Sequence, residues 1–402
     1  MDQETALDLV KRGATLLLLD VPQYTLIGID TQIFTAGPAF KGIKMIPPGP
    51  HFLYYSSSSR DGKEFSPFIG FFVDAGPSEV IVRRWVHQEE RLVKIVEDEE
   101  ERFSQAVKSL EFDRHLGPYN LNQYGEWKRL SSYVTKHVID RIEPIGGEIT
   151  IESEAGITKG IPKTATEKAL DEQLRNSKCS VDASVDKSKK RGCYYTSIPY
   201  VIKHRGMERA ELTSLNLDKT ELLERILVKD YEGSEDLLLG ELQFSYIAFV
   251  MAQSLEAFFQ WKSLVSLLLG CTEAPFRTRS QLFTKFIKVM YYQLKFGLQK
   301  DRAENNGAGV GVPTLLDESW FSADSFLHRL CKDFFLLVQE APVVDGDLLT
   351  WTRKLKELLE TSLGWEFQQN SATDGIYFEN DDEYAPVVVM LDDNSYNEGQ
   401  AN

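Results

Sequence analysis

Residues 37–57 read GPAFKGIKMIPPGPHFLYYSS, in which two apolar runs, Gly42–Ile46 and His51–Tyr55, are divided by Pro47-Pro48-Gly49-Pro50. Proline removes a backbone donor and fixes φ, so this block predicts two short strands around a forced turn. Outward from it the same pattern recurs. Leu16–Leu19, Thr25–Ile29, Pro67–Val73 and Val80–Val86 are apolar runs bounded by Asp20-Val21-Pro22, Gly37-Pro38, Arg60-Asp61-Gly62 and Ala75-Gly76-Pro77. Six short strands at this spacing predict a small sandwich or half-barrel over residues 1–150. Val80–Val86 is the awkward one, because Arg83 and Arg84 place charge where one face should be apolar. Helices are predicted near Asp98–Phe112 and Glu126–Arg141, packed on the sheet.

The period changes in the second half. From Glu152 to Arg191 there is no aromatic residue and few large apolar ones. Such a stretch cannot bury enough surface to offset its ordering entropy, which predicts a flexible polar linker over 151–195, with a transient helix near Thr166–Arg175. Over 196–368, apolar stripes recur at three- and four-residue steps: Leu222 to Leu227, Leu239 to Val250, Phe258 to Leu268, Leu282 to Leu294, Leu327 to Val338 and Leu348 to Leu359. Each buries one face of a helix, so five or six helices make an all-α domain. Asp218 with Glu221 reads as a capping box ahead of the first stripe. The predicted fold class is therefore α+β: a β-rich amino-terminal domain, an all-α helical domain and an acidic tail over 369–402 containing one strand.

Charge narrows the choice of partners. The 402 residues carry 45 Lys and Arg against 61 Asp and Glu, a net charge of −16. That balance argues against nucleic acid or an anionic membrane as the main ligand. The tail from Ser371 onward has eight acids and no base, and Glu89–Glu101 has seven acids and two bases. The excess is thus concentrated on two segments, which points to a basic protein partner. The amino terminus lacks a signal-type apolar core. Leu237–Leu269 is broken by Gln243, Glu256, Gln260 and Lys262, so it is no membrane span. The four cysteines at 179, 193, 271 and 331 form no C-x-x-C pair. Cys179 and Cys193 could pair, but the usage is that of a reducing compartment.

No catalytic constellation emerges. The six histidines (51, 87, 115, 137, 204, 328) make no H-E-x-x-H and no ligand spacing, and His328 reads as a packed helical residue. Gly307-Ala308-Gly309-Val310-Gly311 follows no strand and reads as a helix–helix loop; Glu97–Glu101 reads as a solvated helix start. Lys187–Arg191 is a candidate nuclear-import cluster. A hydrolase site near His51, Asp74 and His87 is the enzymatic alternative, with Ser56–Ser59 reading as an exposed polar turn. No cofactor or metal is expected.

The tail carries the best binding signal. Tyr384, Ala385, Pro386, Val387, Val388, Val389, Met390 and Leu391 form an apolar, β-branched island between Asp381-Asp382-Glu383 and Asp392-Asp393. Eight residues span about 26 Å as a strand at about 3.3 Å per residue. Val387, Val389 and Leu391 would face one side and Val388 and Met390 the other, so both faces need cover. Either the island augments a sheet edge of another protein, or it adds an edge strand to its own β-domain.

Several blocks occur in one order along nearly the whole chain outside 152–195. They are Gly28-Ile29-Asp30, the 37–57 block, Gly70-Phe71-Phe72, Arg84-Trp85, Leu116-Gly117-Pro118-Tyr119, LGELQF at 239–244, EAFFQWK at 256–262, Trp365-Glu366-Phe367 and APVVV at 385–389. Together they resemble the A1-cistron splicing factor family, assembly factors of the U5 small nuclear ribonucleoprotein (snRNP). The resemblance implies a non-enzymatic chaperone of nucleus and cytoplasm that holds the large U5 snRNP scaffold protein alongside other U5 assembly components. It implies contact with that protein's RNase H-like and Jab/MPN-like domains, Tyr384–Leu391 being the bridging strand. It further implies exclusion of helicase and RNA until a phosphorylation-linked exchange, for which linker residues Ser177, Ser180, Ser184 and Ser188 are candidates. No direct nucleic-acid or membrane contact is expected. The 37–57 block is either a binding surface or a turn-rich core; the structural reading is preferred. A generic adaptor that binds mainly through its helical domain is the other alternative.

Overall fold

The computed structural model describes residues 3–59, 62–151, 192–199, 208–298 and 325–367. Among them, ten strands form two five-stranded sheets. They are β1 (Ala14–Leu19), β2 (Leu26–Ile29), β3 (Gln32–Thr35), β4 (Gly42–Ile46), β5 (Gly49–Ser56), β6 (Ile69–Ala75), β7 (Val80–Val86), β8 (Arg91–Lys94), β9 (Leu116–Pro118) and β10 (Ile149–Thr150). The first sheet has the order β8-β7-β1-β4-β9 and is mixed, with β1 parallel to β7 and β4 parallel to β9. The second, β10-β6-β5-β2-β3, is antiparallel throughout. The helices before residue 150 are α1 (Gln3–Arg12), α2 (Glu97–Lys108), α3 (Leu121–Leu130) and α4 (Lys136–Ile142).

Alternation along the strands explains the layering. Leu16, Leu18, Ile81 and Trp85 of the first sheet share one core with Ile27, Ile29, Leu53, Tyr55 and Phe71 of the second. Leu17, Leu19 and Val82 point the other way, onto Val107 and Phe103 of α2. The two arginines of β7 follow the same rule. Arg84 faces α2 and meets Glu99 at 3.0 Å, whereas Arg83 lies over the Phe71 ring at 5.7 Å. The acidic start of α2 is thus partly used as a clamp on β7.

The second sheet buries its far face as well. Phe52, Tyr54 and Phe72 stand there, and the Phe72 ring stacks on Phe244 at 4.5 Å. Register places Tyr54 between Gly28 and Gly70 on the neighbouring strands. A Cβ on Gly28 would sit 2.0 Å from the Tyr54 ring, and one on Gly70 2.4 Å from the Phe52 ring. The glycines make room for aromatic rings laid across the sheet, which is why they stand inside strands.

Phe244 belongs to α7 (Glu235–Ala252), preceded by α5 (Arg209–Leu217) and α6 (Thr220–Asp230). From Leu238 to Ala252 every residue of α7 is buried. A helix buried all round lies inside a core, and α7 is the shared wall between sheet and helices. Around it stand α8 (Leu255–Leu269), the short α9 (Ala274–Arg277), α10 (Ser280–Gly297), α11 (Phe326–Glu340) and α12 (Gly346–Leu363). Gln253 turns the chain at φ 56°, and Ser254 caps α8 by accepting from the Ala257 N–H. The described residues up to Trp365 form one compact unit. At its end, Trp365 meets His328 edge-on at 4.9 Å.

The α+β architecture is as predicted and all six stripes form helices, although α7 is buried on every side and not on one face alone. Two local expectations need correction. Glu126–Arg141 is not one helix: Ser131-Ser132-Tyr133-Val134-Thr135 breaks it, and Thr135 caps α4 by accepting from the Val138 N–H at 3.3 Å. At the end of α3 the Ser131 hydroxyl donates to the Trp127 carbonyl at 2.9 Å, a local bond of the kind that competes with helix continuation. The Asp218/Glu221 capping box does not form. Asp218 instead accepts from Thr220 N–H, Thr220 Oγ1 and the distant Thr272 N–H, while Glu221 pairs with Arg225.

Candidate functional site

The predicted binding strand, Tyr384, Ala385, Pro386, Val387, Val388, Val389, Met390 and Leu391, lies outside the described residues. So do Lys187–Arg191, the linker serines, Cys179, Thr166–Arg175 and Gly307–Gly311. Among the described residues, no group of three or more His, Cys, Asp or Glu could hold a metal ion. No described helix is long and apolar enough to cross a membrane.

The hydrolase constellation does not assemble. His51 is buried on β5, Asp74 is exposed on β6, and His87 is exposed in the turn between β7 and β8. Ser56 and Ser57 are no exposed turn either. Ser56 Oγ donates to the Ser66 carbonyl and Ser57 Oγ to Glu90, both at 2.5 Å.

His51 instead belongs to a buried network that joins three of the sequence blocks. Asp30 sits in the β2–β3 turn at φ 55°. Its Oδ1 accepts from the Phe52 N–H at 2.9 Å. Its Oδ2 receives His51 Nδ1 at 2.7 Å and the Tyr119 hydroxyl at 2.5 Å. The other imidazole nitrogen, Nε2, faces the Pro47 carbonyl at 2.6 Å. A carboxylate and a carbonyl can only accept, so both ring nitrogens must donate and His51 is an imidazolium. Burial pulls its pKa down, but the Asp30 charge and hydrogen bond, with Pro47 and Asp74, override this and raise it. Burial likewise pushes the Tyr119 hydroxyl up, reinforced by Asp30, so it stays a donor. Trp127 stacks nearby and donates from Nε1 to the Pro50 carbonyl at 2.9 Å, tying α3 to the start of β5.

A raised imidazole binds its proton more tightly in the folded than in the unfolded chain. Its stabilisation is complete below the ordinary value of about 6.5 and is lost as pH rises through the higher folded value. Urea midpoints are therefore expected to fall as pH rises above about 6.5, and the fall should shrink in an Asp30→Asn chain.

A second set of networks surrounds α7. Glu241, at 0% exposure, accepts from the Thr196 N–H at 2.8 Å, Thr196 Oγ1 at 2.9 Å and Gln260 Nε2 at 2.7 Å. Arg141 of α4 reaches Thr196 Oγ1 at 2.8 Å and lies over the Tyr231 ring at 4.7 Å. Burial pushes the Glu241 carboxyl up, opposed by the Thr196 hydrogen bonds and by Arg141. Two residues on, Gln243 accepts from the Tyr133 N–H at 2.7 Å and donates to the Arg129 carbonyl and Ser132 Oγ, holding the α3–α4 break. Gln293 of α10 accepts from Trp261 Nε1 at 3.0 Å, and its carbonyl accepts from the Tyr246 hydroxyl. The polar letters of LGELQF and EAFFQWK thus fasten α4, α7, α8, α10 and residues 192–199 together. These are positioning groups with no reactive geometry. Within the 37–57 block, residues 51–57 are buried and belong to the core, whereas Gly37, Pro38, Ala39 and Pro48 are exposed.

Two family models match, the AAR2 N-terminal domain over residues 12–144 and the AAR2 C-terminal repeat region over residues 195–368. The chain belongs to the AAR2 family. It is 28% identical to the human protein AAR2 homolog over 404 residues, covering 97% of each chain. Against the Caenorhabditis elegans protein AAR2 homolog it is 28% identical over 374 residues, 89% of this chain and 95% of the relative. The A1 cistron-splicing factor AAR2 of Saccharomyces cerevisiae matches at 21% over 290 residues, 70% of this chain and 76% of the relative. The Asp30–His51–Tyr119 network lies within the matched AAR2 N-terminal domain, and the α7 networks lie within the matched AAR2 C-terminal region. Residues 384–391 lie beyond both.

Proposed function

We propose that this AAR2-family chain is a pre-mRNA splicing factor acting as a non-enzymatic assembly chaperone. It binds the large U5 snRNP scaffold protein through that protein's RNase H-like and Jab/MPN-like domains and keeps helicase and RNA away during U5 snRNP biogenesis. The observation that carries this reading is the match along 70% of the chain to a relative named a splicing factor. In this reading Tyr384–Leu391 bridges the two scaffold domains as an added strand. Backbone pairing then supplies affinity and alternate side chains supply register. Its acidic flanks hinder self-association of a sticky segment. The protein works in nucleus and cytoplasm and meets other U5 assembly components there.

Deletion of 384–391 followed by capture from nuclear extract tests this. Strong loss of scaffold capture is expected. Undiminished capture would favour the adaptor that binds through its helices, and no capture by the intact chain would reopen the enzymatic reading.

A further inference from the structure

On the helical side, α10 carries Lys285, Lys288 and Lys295 and no carboxylate. Lys288, Tyr291, Tyr292 and Lys295 follow at helical spacing on one face of α10. Trp351 and Lys354 stand one turn apart on α12, which packs against α10. The rings of Tyr291, Tyr292 and Trp351 form a half-exposed cluster, with centroids 5.3, 5.7 and 5.9 Å apart. Four exposed cations surround it. Lys354 lies 4.4 Å and Lys288 5.4 Å from the Trp351 centroid, Lys295 5.8 Å from Tyr291, and Arg129 of α3 5.3 Å from Tyr292. Among the described residues none of these four forms an ion pair, although Lys285 takes Asp236 and Lys356 takes Glu360. The α12 carboxylates of Asp347 and Glu357 neutralise none of the four.

We propose that this Tyr291–Tyr292–Trp351 patch is a second docking surface, separate from the tail, and that its occupant is an acidic, aromatic-bearing peptide segment of a partner protein. Four unneutralised cations in a chain of net charge −16 are a local inversion of sign. Complementarity therefore selects an anionic ligand. Ring geometry selects among anions. Successive bases of a single strand stack on open ring faces. Here the three rings are tilted 78°, 65° and 56° to one another, and cations already sit over their faces. What remains is a corrugated surface of ring edges and lysine stems. It suits side chains inserted between rings, with Asp or Glu of the same segment meeting the ammonium and guanidinium groups.

The test is fluorescence anisotropy with the full chain and a labelled synthetic peptide of Glu and Asp interspersed with Phe. Saturable binding that weakens with added salt is expected. Lys288→Glu with Lys354→Glu should lower affinity about tenfold, as should Arg129→Glu with Lys295→Glu; all four positions are exposed, and the independent pairs guard against a folding defect in either. Failure to bind the peptide, or unchanged affinity in both double variants, overturns the proposal. Tighter binding of a single-stranded oligouridine than of the peptide would make the occupant a nucleic acid and overturn it. Binding that emerges only after residues 371–402 are removed would make the occupant the chain's own tail, which overturns it too.

Discussion

Replacing Asp30 by alanine is expected to lower the unfolding free energy by about 3–5 kcal/mol, the range for breaking a buried charge pair from one side. The loss has three components. The Phe52 N–H loses its acceptor, the Tyr119 hydroxyl loses its own, and a buried imidazolium is left with only the Pro47 carbonyl. Asp30→Asn should cost much less, for a structural reason. The amide can keep accepting from Phe52 and can donate to His51 Nδ1, while a neutral imidazole keeps its Nε2–H on Pro47. The pair of variants separates charge from packing. Denaturant unfolding should place alanine far below wild type and asparagine between them, with the pH dependence above neutrality reduced in both. Equal losses in the two variants would mean that the hydrogen bonds an amide can keep recover nothing and that the site depends on the carboxylate charge itself.

Glu241→Ala is the second large effect, expected at about 3 kcal/mol because buried donors are left unsatisfied around a cavity. Those donors are the Thr196 N–H and hydroxyl and Gln260 Nε2, with Arg141 close by. The position of the loss matters more than its size. Glu241 holds residues 192–199 onto α7 and α8, so hydrogen exchange at the Thr196 amide should accelerate far more than at the α7 amides. Uniform acceleration throughout α7 would instead assign Glu241 to the helix core and not to the strap.

What could be read in the sequence follows from periodicity and length. The strands anchored by apolar runs (β1, β2, β4, β5, β6 and β7) are visible, because alternation or continuous burial leaves a pattern. β3, β8, β9 and β10 are two to four residues long. Arg91–Lys94 is also masked by the acids around it, and Leu116–Pro118 by its glycine and proline. Parallel pairing of β1 with β7 was not legible, since register is set by what each face covers. The buried networks show a deeper limit. In the sequence Asp30 stands only as the last letter of the Gly28-Ile29-Asp30 block, and only the fold shows that three donors converge on it. Gln243 and Gln260 were legible as interruptions of an apolar helix pair, and burial with partners is the reason they stand there. Tyr291, Tyr292 and Trp351 were partly read as stripe; that their rings stay half-exposed among unpaired cations needs α3, α10 and α12 side by side.

Binding of the U5 scaffold through the tail is the claim on which the functional account turns. Calorimetric titration of a purified scaffold fragment containing the RNase H-like and Jab/MPN-like domains, against the full chain and a chain lacking 384–391, tests it most directly. A tethered strand that engages once the folded body has docked gains from effective concentration, so its removal should weaken binding about a hundredfold. Equal affinities for the two chains would contradict the account.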